Sequence, residues 1–173
     1  FFKKVPQLNQ QAIELKEACF YHDSSFAFLI ALKYLNQPQT IVIIKDNLLG
    51  AQQLYNQLSL LLKENCQLYA VDEVTKFTTL ATSPEMEATR LYVLGQLILK
   101  KPIVVVTHTM AIQRLVPKKD LFLQQILTFE VGKKQTKKEL LQQLIYLGYK
   151  SVLQVTQTFE FSSRGGVIDI FSI

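Results

Sequence analysis

The sequence predicts an α/β protein with an open, mostly parallel sheet flanked by helices, followed by a smaller α+β domain. Three observations carry this. Helix-like and strand-like segments alternate with short connections up to about residue 115. Two of the strand segments, 40–44 and 103–107, are unbroken β-branched runs, the pattern of strands covered on both faces. At Val116-Pro117-Lys118-Lys119 the composition turns basic and the hydrophobic period changes. The boundaries are therefore set at 1–115 for an α/β scaffold and 116–173 for the α+β piece.

In order, Ser24 or Ser25 is expected to cap an apolar helix over 26–35. It stops at Asn36-Gln37-Pro38, because proline cannot continue a helix. Residues 40–44 form a strand with apolar side chains on both faces. Asn47 caps a second helix, in which Leu48, Ala51, Leu54, Tyr55, Leu58, Leu61 and Leu62 follow the three-and-four spacing of one buried face. Residues 66–71 read as a short strand. Ser83-Pro84-Glu85 supplies an N-cap, a proline at the first helical position and an early acid for a helix to Leu99, closed by Lys100-Lys101-Pro102. Residues 103–107 are a second buried strand, and a short amphipathic stretch runs on to Leu115.

The second piece begins with a strand over 126–131 and a turn at Gly132-Lys133-Lys134. Thr136 and Glu139 have capping-box spacing for a helix that ends at Leu147-Gly148, with glycine where a left-handed residue is wanted. Extended pieces follow at 149–155, 158–163 and 167–173, the last two joined by a tight turn at Arg164-Gly165-Gly166. In the final strand Val167, Asp169 and Phe171 alternate with Ile168, Ile170 and Ser172. A chain stopping within this strand reads as a fragment of something longer, its second domain truncated at the C-terminal end.

Composition excludes several classes. With 49% hydrophobic and 19% charged residues the chain is a folded protein, outside the disordered class. The longest clean apolar stretch, around Ile103-Val104-Val105-Val106, is far shorter than the roughly 20 residues of a membrane helix. Phe1-Phe2-Lys3-Lys4 leads into polar residues with no cleavage site, so a cytoplasmic protein without membrane association is expected. Cys19 and Cys66 stand far apart and read as small buried apolar residues. His22 and His108 are isolated, and no metal or other cofactor is expected.

Charge is uneven. Residues 1–99 carry 8 Lys/Arg against 9 Asp/Glu, whereas residues 100–173 carry 11 against 5, a net +6. A basic half favours an anionic partner, either nucleic acid or an acidic protein face. Lys133, Lys134, Lys137 and Lys138 crowd one end of a helix and read as a solvated face with steering value.

A βαβ pattern raises the question of a nucleotide site. None of the glycines, Gly50, Gly95, Gly132, Gly148, Gly165 and Gly166, is followed by Lys-Ser or Lys-Thr. Gly132-Lys133-Lys134 comes nearest to a phosphate loop, but Leu127 occupies the first glycine position. Asp72-Glu73 resembles the start of a helicase acidic box, with no phosphate loop to serve. His22-Asp23-Ser24 and Thr107-His108 are sequence neighbours, which rarely converge into a triad, and no nucleophile elbow is present. The residues give no positive case for an enzyme.

The stretch Phe159-Glu160-Phe161-Ser162-Ser163-Arg164-Gly165-Gly166-Val167-Ile168-Asp169-Ile170-Phe171 resembles the signature shared by UvrB and the bacterial transcription-repair coupling factors, with Phe159 where a glycine is usual. Glu130-Val131-Gly132 and Leu147-Gly148-Tyr149 fall in that family's order and spacing. Ser83-Pro84-Glu85 with Arg90-Leu91 resembles a segment of its first domain. UvrB carries an intact phosphate loop and a long DNA-inserting hairpin. Here residues 20–27 read Phe-Tyr-His-Asp-Ser-Ser-Phe-Ala, and only about a dozen residues separate Val71 from Ser83.

The resemblance therefore implies the coupling factors' degenerate module: a helicase-like first domain without ATPase, then a domain that recruits the repair protein UvrA. RNA polymerase and DNA would be engaged by other parts of the longer protein. Arg164 is the first candidate contact, because its planar fork suits a carboxylate. Lys150 would add steering, Phe171 an apolar anchor, and Asp169 is expected to pair with Arg164 across the hairpin. Two alternatives remain: a nucleic-acid-binding module using the same basic half, and a UvrB-like ATPase with a hidden nucleotide site. No cofactor is implied by the first reading.

Overall fold

A computed structural model describes residues 23–71 and 83–172. Cys19, residues 20–22 and Asp72-Glu73 lie outside the described residues. Contacts divide the described residues into two compact units, one drawing on residues 23–71 and 89–114, the other on 83–88 and 115–172.

The first unit is built on a parallel sheet. Helix α1 (Asp23–Asn36) leads to β1 (Ile41–Lys45), α2 (Leu48–Leu62), a 3₁₀ turn (Lys63–Asn65), β2 (Cys66–Tyr69), α3 (Pro84–Ile98), β3 (Val104–His108) and the single turn α4 (Thr109–Ile112). The strand order is β1-β3-β2, and both pairings are parallel, with Ile43 and Leu68 each opposite Val106. The pattern of β-branched runs joined through helices thus produces the parallel sheet that it predicts.

Alternation along β3 divides its side chains between two layers. Val104 and Val106 join Ile43, Cys66, and Ala27, Ala31, Leu54 and Leu58 of α1 and α2 in one buried cluster. Val105 joins Tyr69, Val71, Ile103 and Val93 of α3 in another. Burial pushes the Cys66 thiol up to about 12, so it stays neutral and acts as a small apolar core residue.

Strand β1 departs from its expected two-sided burial. Val42 and Ile44 are each 53% exposed, because β1 is an edge strand and the second cluster takes side chains from β2 and β3 but none from β1. Helix starts also shift. α1 already includes Asp23, so Ser24 and Ser25 lie inside its first turn and do not cap it. Asn47 does cap α2, its side chain accepting the Gly50 N–H at 2.8 Å. α3 closes on Lys100 at φ 54°, with the Lys101 N–H reaching the Gln96 carbonyl at 3.1 Å, a left-handed cap made without glycine.

The second unit holds α5 (Lys119–Gln124), α6 (Lys137–Tyr146), β4 (Lys150–Ser151), β5 (Glu160–Arg164) and β6 (Val167–Ile170). The expected strand over 126–131 does not form. Ile126, Phe129 and Val131 are exposed, and residues that favour strands need a partner edge, which this segment lacks among the described residues. The short helix α5 stands before it instead. Thr136 caps α6 through the Glu139 N–H at 3.4 Å, and Gly148 takes φ 87° beyond its end.

The small sheet has the order β4-β5-β6, parallel then antiparallel. Residues 115–172 contribute only Leu144 and Phe161 to the buried hydrophobics of the described chain, so apolar burial alone holds this unit weakly. Its order comes to a large extent from polar bonds, and these shape the exposed face.

Candidate functional site

Register brings the three candidate residues onto one face of the small sheet. Lys150 on β4 pairs with Glu160 on β5, and the Phe171 N–H bonds the Glu160 carbonyl at 3.0 Å just beyond β6. Along the same face Ser162 pairs with Asp169 and Arg164 with Val167. Period-two alternation then puts Lys150, Glu160, Ser162, Arg164, Val167, Asp169 and Phe171 on one side, and Phe161, Ile168 and Ile170 on the other. Lys150 and Arg164 are exposed, and Phe171 is 45% exposed.

The middle of this face is covered by the chain's own loop. Of the expected strand 149–155 only Lys150 and Ser151 are in register with β5, and beyond the Val152 N–H, which bonds the Phe161 carbonyl, residues 153–157 turn back over the sheet. The cause is Glu160, which is buried. Its carboxylate accepts the Thr156 N–H at 2.9 Å and hydroxyl at 3.1 Å, and the Gln157 N–H and side-chain amide, both at 3.1 Å. The Thr156 N–H leads in holding this carboxyl below the usual glutamate range, with the Gln157 and hydroxyl bonds adding to it against desolvation.

Ser162 donates its hydroxyl to the Leu153 carbonyl at 3.0 Å, and Arg164 Nη2 donates to the same oxygen. The expected Arg164–Asp169 pair does not form. Both residues line a recess of about 410 Å³ with Gln154, Val155 and Ser162, but the guanidinium turns to the loop carbonyl. The turn behind Arg164 is fixed from α6: Lys137, read from sequence as one of a solvated lysine group, donates Nζ to the Gly165 carbonyl at 2.6 Å. Gly165 takes φ 57°, the turn conformation that glycine permits.

Sequence reasoning missed Phe159, Glu160 and Leu153. Phe159 adopts φ 65°, donates its N–H to the Phe171 carbonyl at 3.1 Å and accepts the Lys150 N–H at 2.8 Å. Phe159 and Glu160 thus face Phe171 together, the hydrogen-bond pattern of a bulge whose first residue is normally a left-handed glycine. The usual glycine in the signature was the available signal. For Glu160, the polar group Thr156-Gln157 placed just before it was the signal.

At the carboxyl edge of the large sheet, where open α/β folds hold ligands, several polar groups are engaged within the fold, while Thr107 Oγ1 is buried without a hydrogen-bond partner among the described residues. Thr109 donates its hydroxyl to the Asp46 carbonyl at 2.7 Å, Asn47 caps α2, and buried His108 accepts the Val71 N–H at 3.2 Å on Nε2. Among the described residues no group of three or more His, Cys, Asp or Glu is placed to hold a metal ion, and no helix is long and apolar enough to cross a membrane.

The UvrB interaction domain family matches residues 127–173, the stretch that forms α6 and the small sheet. The transcription-repair-coupling factor of Bacillus subtilis (strain 168) is 32% identical over 139 residues, 80% of this chain. That of Staphylococcus aureus (strain USA300) is 27% identical over 146 residues, 84% of this chain. In each case the chain spans about 12% of the relative's length. The described fold is a parallel-sheet unit followed by a segment that is similar to the UvrB interaction domain. More particularly, the chain is homologous to the N-terminal part of the transcription-repair coupling factors.

Proposed function

We propose that this chain is a non-catalytic recruitment module that docks UvrA, and so brings nucleotide-excision repair to stalled RNA polymerase. The observation that carries the reading is the shared face of Lys150, Arg164 and Phe171 within the segment matched by the UvrB interaction domain. Residues 1–115 act as scaffold and residues 116–173 as the UvrA-binding domain. Arg164 engages a carboxylate of the partner, Lys150 steers the approach, and Phe171 supplies apolar contact. RNA polymerase, DNA and ATP are the business of other parts of the longer protein, which works in the cytoplasm.

The test is titration of the 173-residue chain with purified UvrA, beside duplex DNA at the same stated salt. Saturable binding to UvrA with weak, steeply salt-dependent binding to DNA supports recruitment. The reverse order supports a nucleic-acid module, which the net +6 of residues 100–173 would equally serve.

A further inference from the structure

Arg164 lies beside two residues whose apolar side chains are exposed. Val167 is its register partner across the β5–β6 hairpin and is 62% exposed. Leu153 is 90% exposed, and its carbonyl receives the Arg164 guanidinium. An exposed leucine on a mobile loop needs no explanation. Leu153 is different because its carbonyl and the loop on both sides of it are held. The neighbouring Val152 N–H bonds the Phe161 carbonyl at 2.9 Å, the Leu153 carbonyl takes Ser162 and Arg164, and Thr156 and Gln157 are tied to Glu160.

We infer that Leu153 and Val167 form an apolar collar around Arg164, and that the docking partner presents a carboxylate set within an apolar patch. The inference rests on the recruitment reading and adds the partner's surface chemistry to it. A cation in open water contributes little to binding, because its pairing is screened. Ringed by apolar groups that close against the partner, the same pair is desolvated and dominates the interface, as hot spots do. Charge complementarity selects the occupant: Lys150 and Arg164 share the face, and its one exposed acid, Asp169, sits in the recess beside Arg164. Glu160 acts as a positioning residue, since its bonds hold the loop that presents Leu153.

The experiment uses the full chain and purified UvrA as probe. Leu153→Ser and Val167→Thr are each expected to weaken binding about tenfold, the scale of one interface anchor, with melting temperatures unchanged. Salt dependence should also steepen, because Arg164 is then reached by water and ions. Glu160→Gln should raise amide exchange at Thr156 and Gln157 and weaken binding in parallel. If wild type binds and Arg164→Glu does not, while Leu153→Ser and Val167→Thr bind as wild type with the same salt slope, the collar is wrong and recruitment stands. If wild type itself does not bind UvrA, both fall.

Discussion

Phe159 donates its N–H to the carbonyl of Phe171 at 3.1 Å while holding its own φ at 65°, a left-handed conformation for a bulky residue. Its ring stands edge-on to Tyr149, with centroids 5.6 Å apart and an interplanar angle of 85°. Strain of about 1–2 kcal/mol is thus offset by an aromatic contact of about 0.5–1.5 kcal/mol, plus the apolar area that the ring buries.

This balance predicts an order of stability. Phe159→Ala keeps the left-handed strain and loses the ring, whereas Phe159→Gly loses the ring and the strain together. Glycine should therefore be the milder change, by about 1 kcal/mol. Urea melts of the two variants check this, and an alanine variant as stable as the glycine one would remove the strain argument.

Arg164→Glu separates binding from folding. Arg164 is exposed and its bond within the fold goes to one loop carbonyl, so stability should drop by only about 0.5–1.5 kcal/mol. Affinity for UvrA should fall by about 2–5 kcal/mol, because a like charge then faces the partner's carboxylate. Titration beside thermal melts reads both. Unchanged binding by a folded variant would take Arg164 out of the interface.

The Glu160 carboxyl lies below the usual glutamate range when folded, chiefly because of the Thr156 N–H. A depressed acid contributes stability that is present above its unfolded pKa, about 4.3, and lost as pH falls through the lower folded value. Wild type should therefore lose stability on acidification below about pH 4.3. Glu160→Gln should be less stable near neutrality and show a shallower acid limb. Denaturant midpoints measured across pH 2–7 would expose an identical limb, which would mean that the loop bonds do not depend on charge.

Lys63 closes α2 at φ 51° and ψ −124°, a region that essentially belongs to glycine. Lys63→Gly should raise stability by about 1 kcal/mol, since the conformation is kept and its cost removed. The 3₁₀ turn that follows leads straight into β2, so a lowered midpoint would mean that the lysine stem packs usefully there.

No nucleotide should bind. Residues 20–27 lack the glycine, lysine and hydroxyl arrangement of a phosphate loop, and residues 23–27 lie in the first turns of α1. Calorimetric titration with ATP and magnesium should give no heat of binding, and micromolar affinity would restore the ATPase alternative.

The sequence by itself determined what depends on local pattern. Unbroken β-branched runs 40–44 and 103–107, separated by helices, specify parallel strands because only crossover connections are available between them. Asn47, Thr136, Gly148 and the Arg164-Gly165-Gly166 turn act through bonds and dihedral angles within a few residues, so they were legible at once. The alternation of Val167, Asp169 and Phe171 likewise put three exposed side chains on one face.

Only the tertiary structure decided which apolar segments found partners. Residues 126–131 carry strand-forming side chains and stay unpaired, and Val42 and Ile44 remain exposed at a sheet edge, because burial depends on neighbours distant in sequence. Arg164 and Asp169 were adjacent in the expected hairpin, yet Glu160 folded residues 153–157 over the sheet and brought the Leu153 carbonyl within reach of the guanidinium first. A buried carboxylate must collect donors from whatever backbone can reach it, and that requirement, set in three dimensions, shaped the exposed face of the small sheet.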